Sequence, residues 1–483
     1  MTVEVSEATA NDSVIAAVGE RLSQRMRDLL RRHRLPGASA GIVREGRLAW
    51  QAGFGFADLA TRRRPDEHTL YRVASISKTF TATAIVQLRD AGKLGLDDPL
   101  VRHLPEFAAV RCRHGRVEAV TLRRLLSHRS GLISEGPFDY WDSMQFPEMA
   151  DILKRLPETE VVLPPDAGAK YSNLAFALLG EVVRRLAGQP YEQYVRERIL
   201  RPLAMNESGF APEFDPGDRL ATGYSPHPFE DHPDPSGHTA CRGINAAAGL
   251  YTSVADLTRW LAFQLTAAPP AVGAAAEPTL DEAPAQSDCV LAPRSLDEMH
   301  TPQAIDANWS EARCLGWFGR RTGGRVFLGH GGSMHGFISQ IFFHKPSRTG
   351  AIVLTNEGRH EVANQAALDL LNLVLDEAEE LPAAGEEAAP LPTPAAWRPL
   401  LGRYLLWAGA ISHIECRKGE LRLEPAPPAL QALHAPSRLI PSDDPLVFRA
   451  AQGRAAGELL RFEAGEDGAI RGFTLSGFRY TKL

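Results

Sequence analysis

Cysteine is scarce in this chain. Only five of the 483 residues are cysteine, and none of them belongs to a Cys-x-x-Cys pair. Disulfide frameworks usually have an even number of cysteines, and cysteine-based zinc sites usually contain such pairs. The sequence therefore predicts neither a disulfide framework nor a metal site, and no other cofactor is predicted.

Long apolar runs and an excess of positive charge are also missing. No stretch of about 18 uninterrupted apolar residues occurs, and the polar start MTVEVSEATANDS lacks the basic and apolar regions of a secretion signal. The formal net charge is −6 at pH 7, whereas nucleic-acid-binding surfaces usually carry clustered positive charge. The basic run at 25–34 fits the solvated face of an amphipathic helix better than a membrane-binding surface. We expect a soluble, cytoplasmic protein that binds neither nucleic acid nor membranes.

The chain is long enough for two or three domains and contains two Ala/Pro-rich segments. The segment at 267–286 predicts a surface insertion, and the segment at 381–397 predicts a linker. We therefore predict one domain at 1–380 and another at 398–483. Short alternating apolar runs in the second domain predict a small antiparallel barrel or sandwich.

The first domain alternates between helical and strand-like patterns. Helical periodicity predicts helices at about 14–33, 75–92 and 360–379, and a mostly helical region between 95 and 260. A hairpin with its turn at Glu45 and Gly46 follows the first helix. Strand character returns between 324 and 355. This order predicts a mixed fold rather than a purely helical one.

The stretch RVASISKTFTA contains Ser75 and Lys78 three residues apart. On a helix these positions share a face, and the positive end of the helix dipole favours negative charge developing near Ser75. Burial of Lys78 would lower its pKa and allow it to act as a base. An exposed polar pair has the same spacing, so this pattern alone does not establish a catalytic site.

Two further clusters carry suitable polar groups. Tyr171 and Asn173 lie just before an apolar helix, where a phenol can relay a proton and an amide can bind a substrate carbonyl or orient Lys78. Half-buried packing of Tyr171 and capping by Asn173 are the simpler interpretations. The sequence HGGS, His330 to Ser333, ends an apolar strand, where small residues allow a substrate backbone to approach. A glycine-rich turn has the same composition.

Ser-x-x-Lys, Tyr-x-Asn and His-x-Gly, in this order, resemble the serine β-lactamase and penicillin-binding-protein family. The flanking stretches LLSHRSGL and GAIVLTNEG resemble its class C-like branch, which holds D-aminopeptidases, esterases and peptide cyclases. The resemblance covers about residues 15–380. The tail from GRYLLW onward looks like the lipocalin-like domain appended to several members. The implied fold is α+β, an antiparallel sheet of about five strands flanked by helices beside a helical domain, followed by a small all-β barrel.

The resemblance also implies a role for each residue of the three motifs. Ser75 would be the acylated nucleophile, Lys78 its base, and Tyr171 the proton relay to the leaving group. Asn173, His330 and Gly332 would bind the substrate. The backbone N–H groups of Ser75 and Ser333 would form the oxyanion hole. In the stretch LLSHRSGL, His128 is interpreted as a structural residue near the cleft.

One departure from the wider family bears on the substrate. Many β-lactamases and penicillin-binding proteins carry a lysine where this chain has His330, which is mostly neutral at pH 7. The leading hypothesis is therefore a serine acyl-enzyme hydrolase acting on a small peptide, amide or ester, in the manner of D-aminopeptidases. A second hypothesis is a penicillin-binding-protein-type thioesterase that cyclises a peptide by acyl transfer to an amine. A third is a non-catalytic binding or sensor protein of the same fold. The sequence leaves homo-oligomer formation open.

Overall fold

A computed structural model describes most of the chain. The described residues are 12–211, 214–227, 232–237, 239–266, 290–358, 360–380, 392–406, 411–417, 419–426, 437–451 and 455–483. They form two compact units, the first from 12 to 380 and the second from 392 to 483. The surface insertion predicted at 267–286 and the first part of the predicted linker, 381–391, lie outside the described residues.

The first unit is built on an eight-stranded antiparallel sheet, in which the last strands of the unit pair with its first hairpin. In spatial order the strands are β10 (Ala304–Ile305), β11 (Glu311–Arg313), β12 (Phe318–Thr322), β13 (Arg325–Met334), β14 (Phe337–His344), β15 (Thr349–Thr355), β1 (Gly37–Arg44) and β2 (Arg47–Gly55). The register places Ala40 opposite Val353 on one side and Ala52 on the other. Pairing of β1 with β15 therefore joins the beginning of the unit to its last strand.

In the described residues of the first unit, seven shorter strands lie outside this sheet. They are β3 (Tyr71–Arg72), β4 (Arg111–Cys112), β5 (Glu160–Val161), β6 (Gly209–Phe210), β7 (Tyr224–Ser225), β8 (Asp234–Pro235) and β9 (Leu250–Thr252). Strand β9 pairs with both β3 and β6. This small sheet is important for the site, because β3 leads directly into the segment that carries Ser75.

Helices make up most of the remaining described part of the first unit. They are α1 (Ser13–His33), α2 (Ser77–Asp90), α3 (Leu100–His103), α4 (Leu122–Leu126), α5 (Tyr140–Ser143), α6 (Met149–Lys154), α7 (Asn173–Ala187), α8 (Tyr191–Val195), α9 (Asn245–Ala248), α10 (Val254–Thr266), α11 (Pro293–His300) and α12 (His360–Glu380). Helices α1 and α12 pack on one face and α10 packs on the other. Strands β14 and β15 are accordingly buried almost throughout and show near-continuous apolar sequence.

The helical part of the first unit is organised around α2 and α7. Helix α2 is buried along nearly its whole length, and it packs against α7 and α9. Its Phe80 ring stacks on Trp260 at a centroid distance of 3.9 Å. Because α2, α7 and α9 share one core, their N-terminal residues are held in fixed positions relative to one another. These helix starts supply most of the polar side chains described below.

The second unit is a closed antiparallel barrel of eight strands. The strands are β16 (Gly402–Leu405), β17 (Ile411–Arg417), β18 (Glu420–Ala426), β19 (Ser437–Pro441), β20 (Val447–Ala450), β21 (Leu459–Ala464), β22 (Ile470–Leu475) and β23 (Phe478–Lys482). Aromatic rings fill much of its interior, including Tyr404, Phe462, Phe473 and Tyr480. Of the two expected architectures, a barrel or a sandwich, the structure has the barrel.

The α+β fold expected for the first unit is confirmed, with a larger sheet than expected. Three additional strands, β10 to β12, extend it beyond β13. Two of them contain only two or three residues, so they leave little alternating pattern in the sequence. In the part of the chain that the structure describes, no helix has the length and apolar character needed to cross a membrane.

Candidate active site

Ser75 lies in a strained turn between β3 and α2. The preceding residue, Ala74, has a φ of +44°, and a short 3₁₀ helix spans Ala74–Ile76 before α2 begins. The N–H of Val73 donates to the carbonyl of Leu250 in β9, which fixes the start of the turn. Ser75 is half-buried, while its neighbours in this stretch are buried. The turn therefore leaves Ser75 partly exposed within an otherwise buried segment.

Lys78 is fully buried and makes three hydrogen bonds. Its Nζ donates to Ser75 Oγ at 3.0 Å, to Asn173 Oδ1 at 2.7 Å and to the carbonyl oxygen of Ala247 at 2.8 Å. Burial lowers its pKa from 10.5 to about 7, and the nearby Glu135 carboxylate opposes this shift. A substantial fraction of Lys78 is therefore neutral at neutral pH, with its nitrogen in contact with the Ser75 hydroxyl.

Tyr171 packs its ring against the ammonium of Lys78. Lys78 Nζ lies 4.9 Å from the ring centroid, and the His128 ring lies 4.3 Å from it on another side. The residue is 37% exposed. Desolvation nevertheless raises the pKa of the phenol, and this outweighs the opposing effect of its interaction with Ser75. Tyr171 is thus a protonated phenol beside Ser75 at neutral pH.

Asn173 is the first residue of α7, and its amide bridges two charged side chains. Its Oδ1 accepts from Lys78, and its Nδ2 donates to Glu135 Oε1 at 2.6 Å. The helix cap is Ser172, whose Oγ accepts from the N–H of Ala175 at 2.9 Å. The capping interpretation of Asn173 is therefore wrong. Two functions were considered for its amide, and the hydrogen bond to Lys78 corresponds to the second, the orientation of the lysine side chain.

His330 lies on β13 and is nearly completely buried. Its Nδ1 donates to the carbonyl of Gly331 at 2.6 Å, because a carbonyl oxygen can only accept. Its Nε2 has no hydrogen-bond partner among the described residues. Burial lowers the His330 pKa to about 3, and the positive charge of Lys78 adds to this shift. The imidazole is therefore neutral at neutral pH and carries no fixed positive charge on the strand.

Gly332 lets β13 approach the turn that carries Ser75. A Cβ at this position would lie 2.0 Å from the carbonyl oxygen of Val73, and Ser339 on the next strand donates to the same oxygen at 2.9 Å. The space on the Cβ side of Gly332 is thus filled by the protein backbone, and the role of Gly332 in substrate binding stays a prediction. Ser333 is the next residue on this strand. That its N–H and the N–H of Ser75 together form the oxyanion hole stays a prediction.

The comparison with known protein families is decisive for the first unit. Residues 22–375 match the family model described as beta-lactamase, which covers well over half of the chain. The chain belongs to the beta-lactamase family. The resemblance predicted from the three motifs is therefore confirmed, and the family includes serine esterases as well as β-lactamases.

Two relatives of this beta-lactamase-family chain illustrate the range of sequence similarity. Esterase EstB of Burkholderia gladioli is 32% identical over 292 residues, which are 54% of this chain and 74% of the esterase. Protein flp of Staphylococcus aureus strain MRSA252 is 26% identical over 332 residues, which are 68% of this chain and 61% of that protein.

Solved structures share the fold of this family member at lower sequence identity. The octameric penicillin-binding protein homologue from Pyrococcus abyssi has a TM-score of 0.61 and 23% identity, and the match covers 96% of this chain and all of that one. SurE has a TM-score of 0.59 and 23% identity, over 98% of this chain and all of that one. A class C beta-lactamase has a TM-score of 0.61 and 20% identity, over 78% and 99% of the two chains.

Glu135 is a residue of the site that the sequence did not reveal. It is half-buried in the loop after α4. Besides its bond to Asn173, it accepts a short hydrogen bond from the hydroxyl of Tyr140 through Oε2. Glu135 and Asn173 are 38 residues apart in sequence, so no local spacing pattern indicates this contact. In this beta-lactamase-family site, Glu135 places a carboxylate one amide away from Lys78.

His128 supports the same corner of the site, as expected for a structural residue. Its Nδ1 accepts from the backbone N–H of Ser172 at 3.2 Å, so its proton is on Nε2. Burial holds the His128 pKa well below its usual value. The ring also lies 5.2 Å from that of Phe176. His128 thereby positions the backbone between Tyr171 and Asn173 while remaining uncharged.

Proposed function

We propose that this protein is a serine acyl-enzyme hydrolase that acts on small peptides, amides or esters. The observation that supports this function best is the direct contact of Lys78 Nζ with Ser75 Oγ, together with the pKa of about 7 for Lys78. A base with a pKa near the working pH combines a large neutral fraction with sufficient basicity. An exposed lysine keeps its ordinary pKa and would have almost no neutral fraction at neutral pH.

The proposed reaction begins with proton transfer from Ser75 Oγ to Lys78 Nζ. Oγ forms a bond to the substrate carbonyl carbon, and the carbonyl π electrons move to its oxygen. The tetrahedral intermediate then collapses, the bond to the leaving group breaks, and Tyr171 donates its phenolic proton to the leaving amine or alcohol. Lys78 then returns its proton to Tyr171. Water attacks the acyl carbon and gives a proton to Lys78, the bond between that carbon and Ser75 Oγ breaks, and Oγ takes the proton from Lys78 as the acid is released. Each step uses groups that are already in contact or adjacent in the site.

The charge of the site favours acyl donors that lack a carboxylate next to β13. His330 is neutral, and the one carboxylate that the described contacts place in the Lys78 network is Glu135. A negatively charged substrate group would therefore have no permanent cation to bind at residue 330 itself. The guanidinium of Arg313 also acts on His330, but it lies over the Phe318 ring and pairs with Glu311 at 3.2 Å. We propose donors resembling those of D-aminopeptidases and esterases rather than the carboxylate-bearing β-lactams.

The rate of acylation is expected to fall at acidic pH. Lys78 must be neutral to accept the Ser75 proton, and its pKa of about 7 places the acid limb of kcat/KM near pH 7. Below pH 7 the rate should increase about tenfold for each unit by which the pH is raised, and above pH 7 it should level off. A pH profile with a short-chain nitrophenyl ester measures this limb. A profile that is flat from pH 5 to pH 8 would contradict the role of Lys78 as base.

His330→Lys is expected to increase acylation by penicillins at least about tenfold. A hydrogen bond to a charged group contributes about 1.5 to 3 kcal/mol, and the wild-type imidazole offers no such charge. The measurement is the second-order rate constant for penicillin acylation of Ser75. His330→Gln, which is uncharged, is the matched control. Equal rates in the two variants would show that the strand residue does not bind the penicillin carboxylate.

Intact-protein mass spectrometry after incubation with acyl donors tests the proposed function. The panel contains D- and L-aminoacyl esters and amides, with and without an added amine; D-donors are included because SurE has also been solved with D-Leu. Acylation of Ser75 followed by its loss in buffer supports hydrolysis. Loss that requires the amine and gives an amide product supports acyl transfer instead. No acylation with any donor would favour a non-catalytic binding protein.

A further inference from the structure

A chain of hydrogen bonds extends from the nucleophile into the protein beyond the three motifs. Lys78 Nζ contacts Ser75 and Asn173, Asn173 Nδ2 donates to Glu135 at 2.6 Å, and the hydroxyl of Tyr140 donates to the other carboxylate oxygen of Glu135. Tyr140 is buried, so the far end of this chain is anchored in the core. The carboxylate is thereby held at a fixed separation from the lysine.

The other described groups in contact with Lys78 are uncharged at neutral pH. Two guanidiniums act on its neighbours: Arg72 acts on Cys241, and Arg313 acts on His128 and His330. Burial keeps Cys241 a thiol by raising its pKa, although Arg72 donates to its sulfur at 3.2 Å. The imidazoles of His128 and His330 are neutral for the reasons given above. The remaining neighbours are the Ser75 hydroxyl, the Asn173 amide, the Ala247 carbonyl and the rings of Tyr171 and Phe176. Glu135 is therefore the anion that acts on Lys78.

A proton that moves from Ser75 to Lys78 creates an ammonium in a fully buried position. Such a charge is costly unless an opposite charge or several hydrogen-bond acceptors stabilise it. We propose that Glu135 is the counter-ion that stabilises protonated Lys78 during acylation, acting through the amide of Asn173. This inference rests on the proposed acyl-enzyme function. It makes Glu135 a positioning residue, because it does not contact the reacting atoms.

The proposal determines the direction in which the pH dependence changes. Removing the negative charge with Glu135→Gln makes protonation of Lys78 less favourable, so the lysine loses its proton at lower pH. The acid limb of acylation should therefore move down by at least about half a pH unit. The plateau rate should fall about three- to tenfold, because the base is weaker. Loss of packing alone would lower the rate without moving the limb.

The experiment measures the rate at which a fluorophosphonate labels Ser75 between pH 5 and pH 9, in the full chain. In this reaction Ser75 Oγ bonds to phosphorus, fluoride leaves, and the serine proton passes to Lys78. Tyr140→Phe is the matched control, because it removes the other hydrogen bond of the carboxylate without changing its charge. We expect the limb to move in Glu135→Gln and to stay at the wild-type position in Tyr140→Phe.

Different results separate the failure of this inference from failure of the proposed function. If the wild-type chain is not labelled at Ser75, the proposed function itself is wrong. If the wild-type chain is labelled and the limb of Glu135→Gln coincides with that of Tyr140→Phe, only the counter-ion role is overturned. Thermal unfolding checks that each variant is folded. Should the glutamine variant not fold, Glu135→Ala removes the same charge and is subject to the same two outcomes.

Discussion

Ser75→Ala is expected to abolish acylation and to reduce turnover by at least about three orders of magnitude. The substitution removes only the Oγ atom, so the contact with Lys78 at 3.0 Å is lost while the two other hydrogen bonds of Nζ remain. The free energy of unfolding should therefore change by less than about 1 kcal/mol. Intact-protein mass spectrometry with an ester donor, combined with thermal unfolding, measures both effects.

Ser77→Ala is the matched control for this result. Ser77 lies two residues away and is fully buried; its Oγ donates to the carbonyl of Ala74 at 2.6 Å and accepts from the N–H of Leu250 at 3.0 Å. Its loss should cost about 1 to 3 kcal/mol of stability, whereas acylation of Ser75 should persist. Turnover by Ser75→Ala near the wild-type rate, or acylation at a different residue, would contradict the assignment of the nucleophile.

The sequence was sufficient to predict the contact between Ser75 and Lys78, because positions three residues apart on a helical segment share a face. For the Asn173 amide it offers two functions, binding a substrate carbonyl or orienting Lys78, and it does not predict the partner Glu135. In the structure the side chain of Asn173 joins Lys78 to Glu135. Such a bridge joins separate loops, and its residues have no fixed spacing. Only the tertiary packing of α2 and α7 brings them together.

The fold shows the same distinction between local and long-range information. The helix expected at about 14–33 is observed at Ser13–His33, because its apolar periodicity and the Asp12 cap are local features. The glycine pair after His330 indicates that another group approaches this strand closely. The group found beside Gly332 is the carbonyl of Val73, more than 250 residues earlier in the chain. The sequence could therefore indicate the need for a small residue without identifying what fills the space.

The energetic cost of burying Lys78 should make the free energy of unfolding depend strongly on pH. The folded state lowers the lysine pKa from 10.5 to about 7, so between these values the unfolded state binds more protons than the folded state. Stability therefore rises with pH across this window. The contribution of Lys78 is fully unfavourable below about pH 7 and is relieved as the pH approaches 10.5. Between pH 7 and pH 9.5 the change amounts to about 3 kcal/mol.

Lys78→Met should therefore eliminate acylation and also remove this pH dependence of stability. Methionine fills a similar volume and carries no charge, although it leaves the Asn173 Oδ1 and the Ala247 carbonyl without the lysine donor. Chemical denaturation of the first unit, followed in both chains at pH 7 and pH 9.5, gives the difference in unfolding free energy. Relative to the variant, the wild-type chain should gain about 3 kcal/mol over this range. A parallel pH dependence in the two chains would show that Lys78 enters the folded state at its ordinary pKa, and the lysine would then not be the neutral base that the acyl-enzyme mechanism requires.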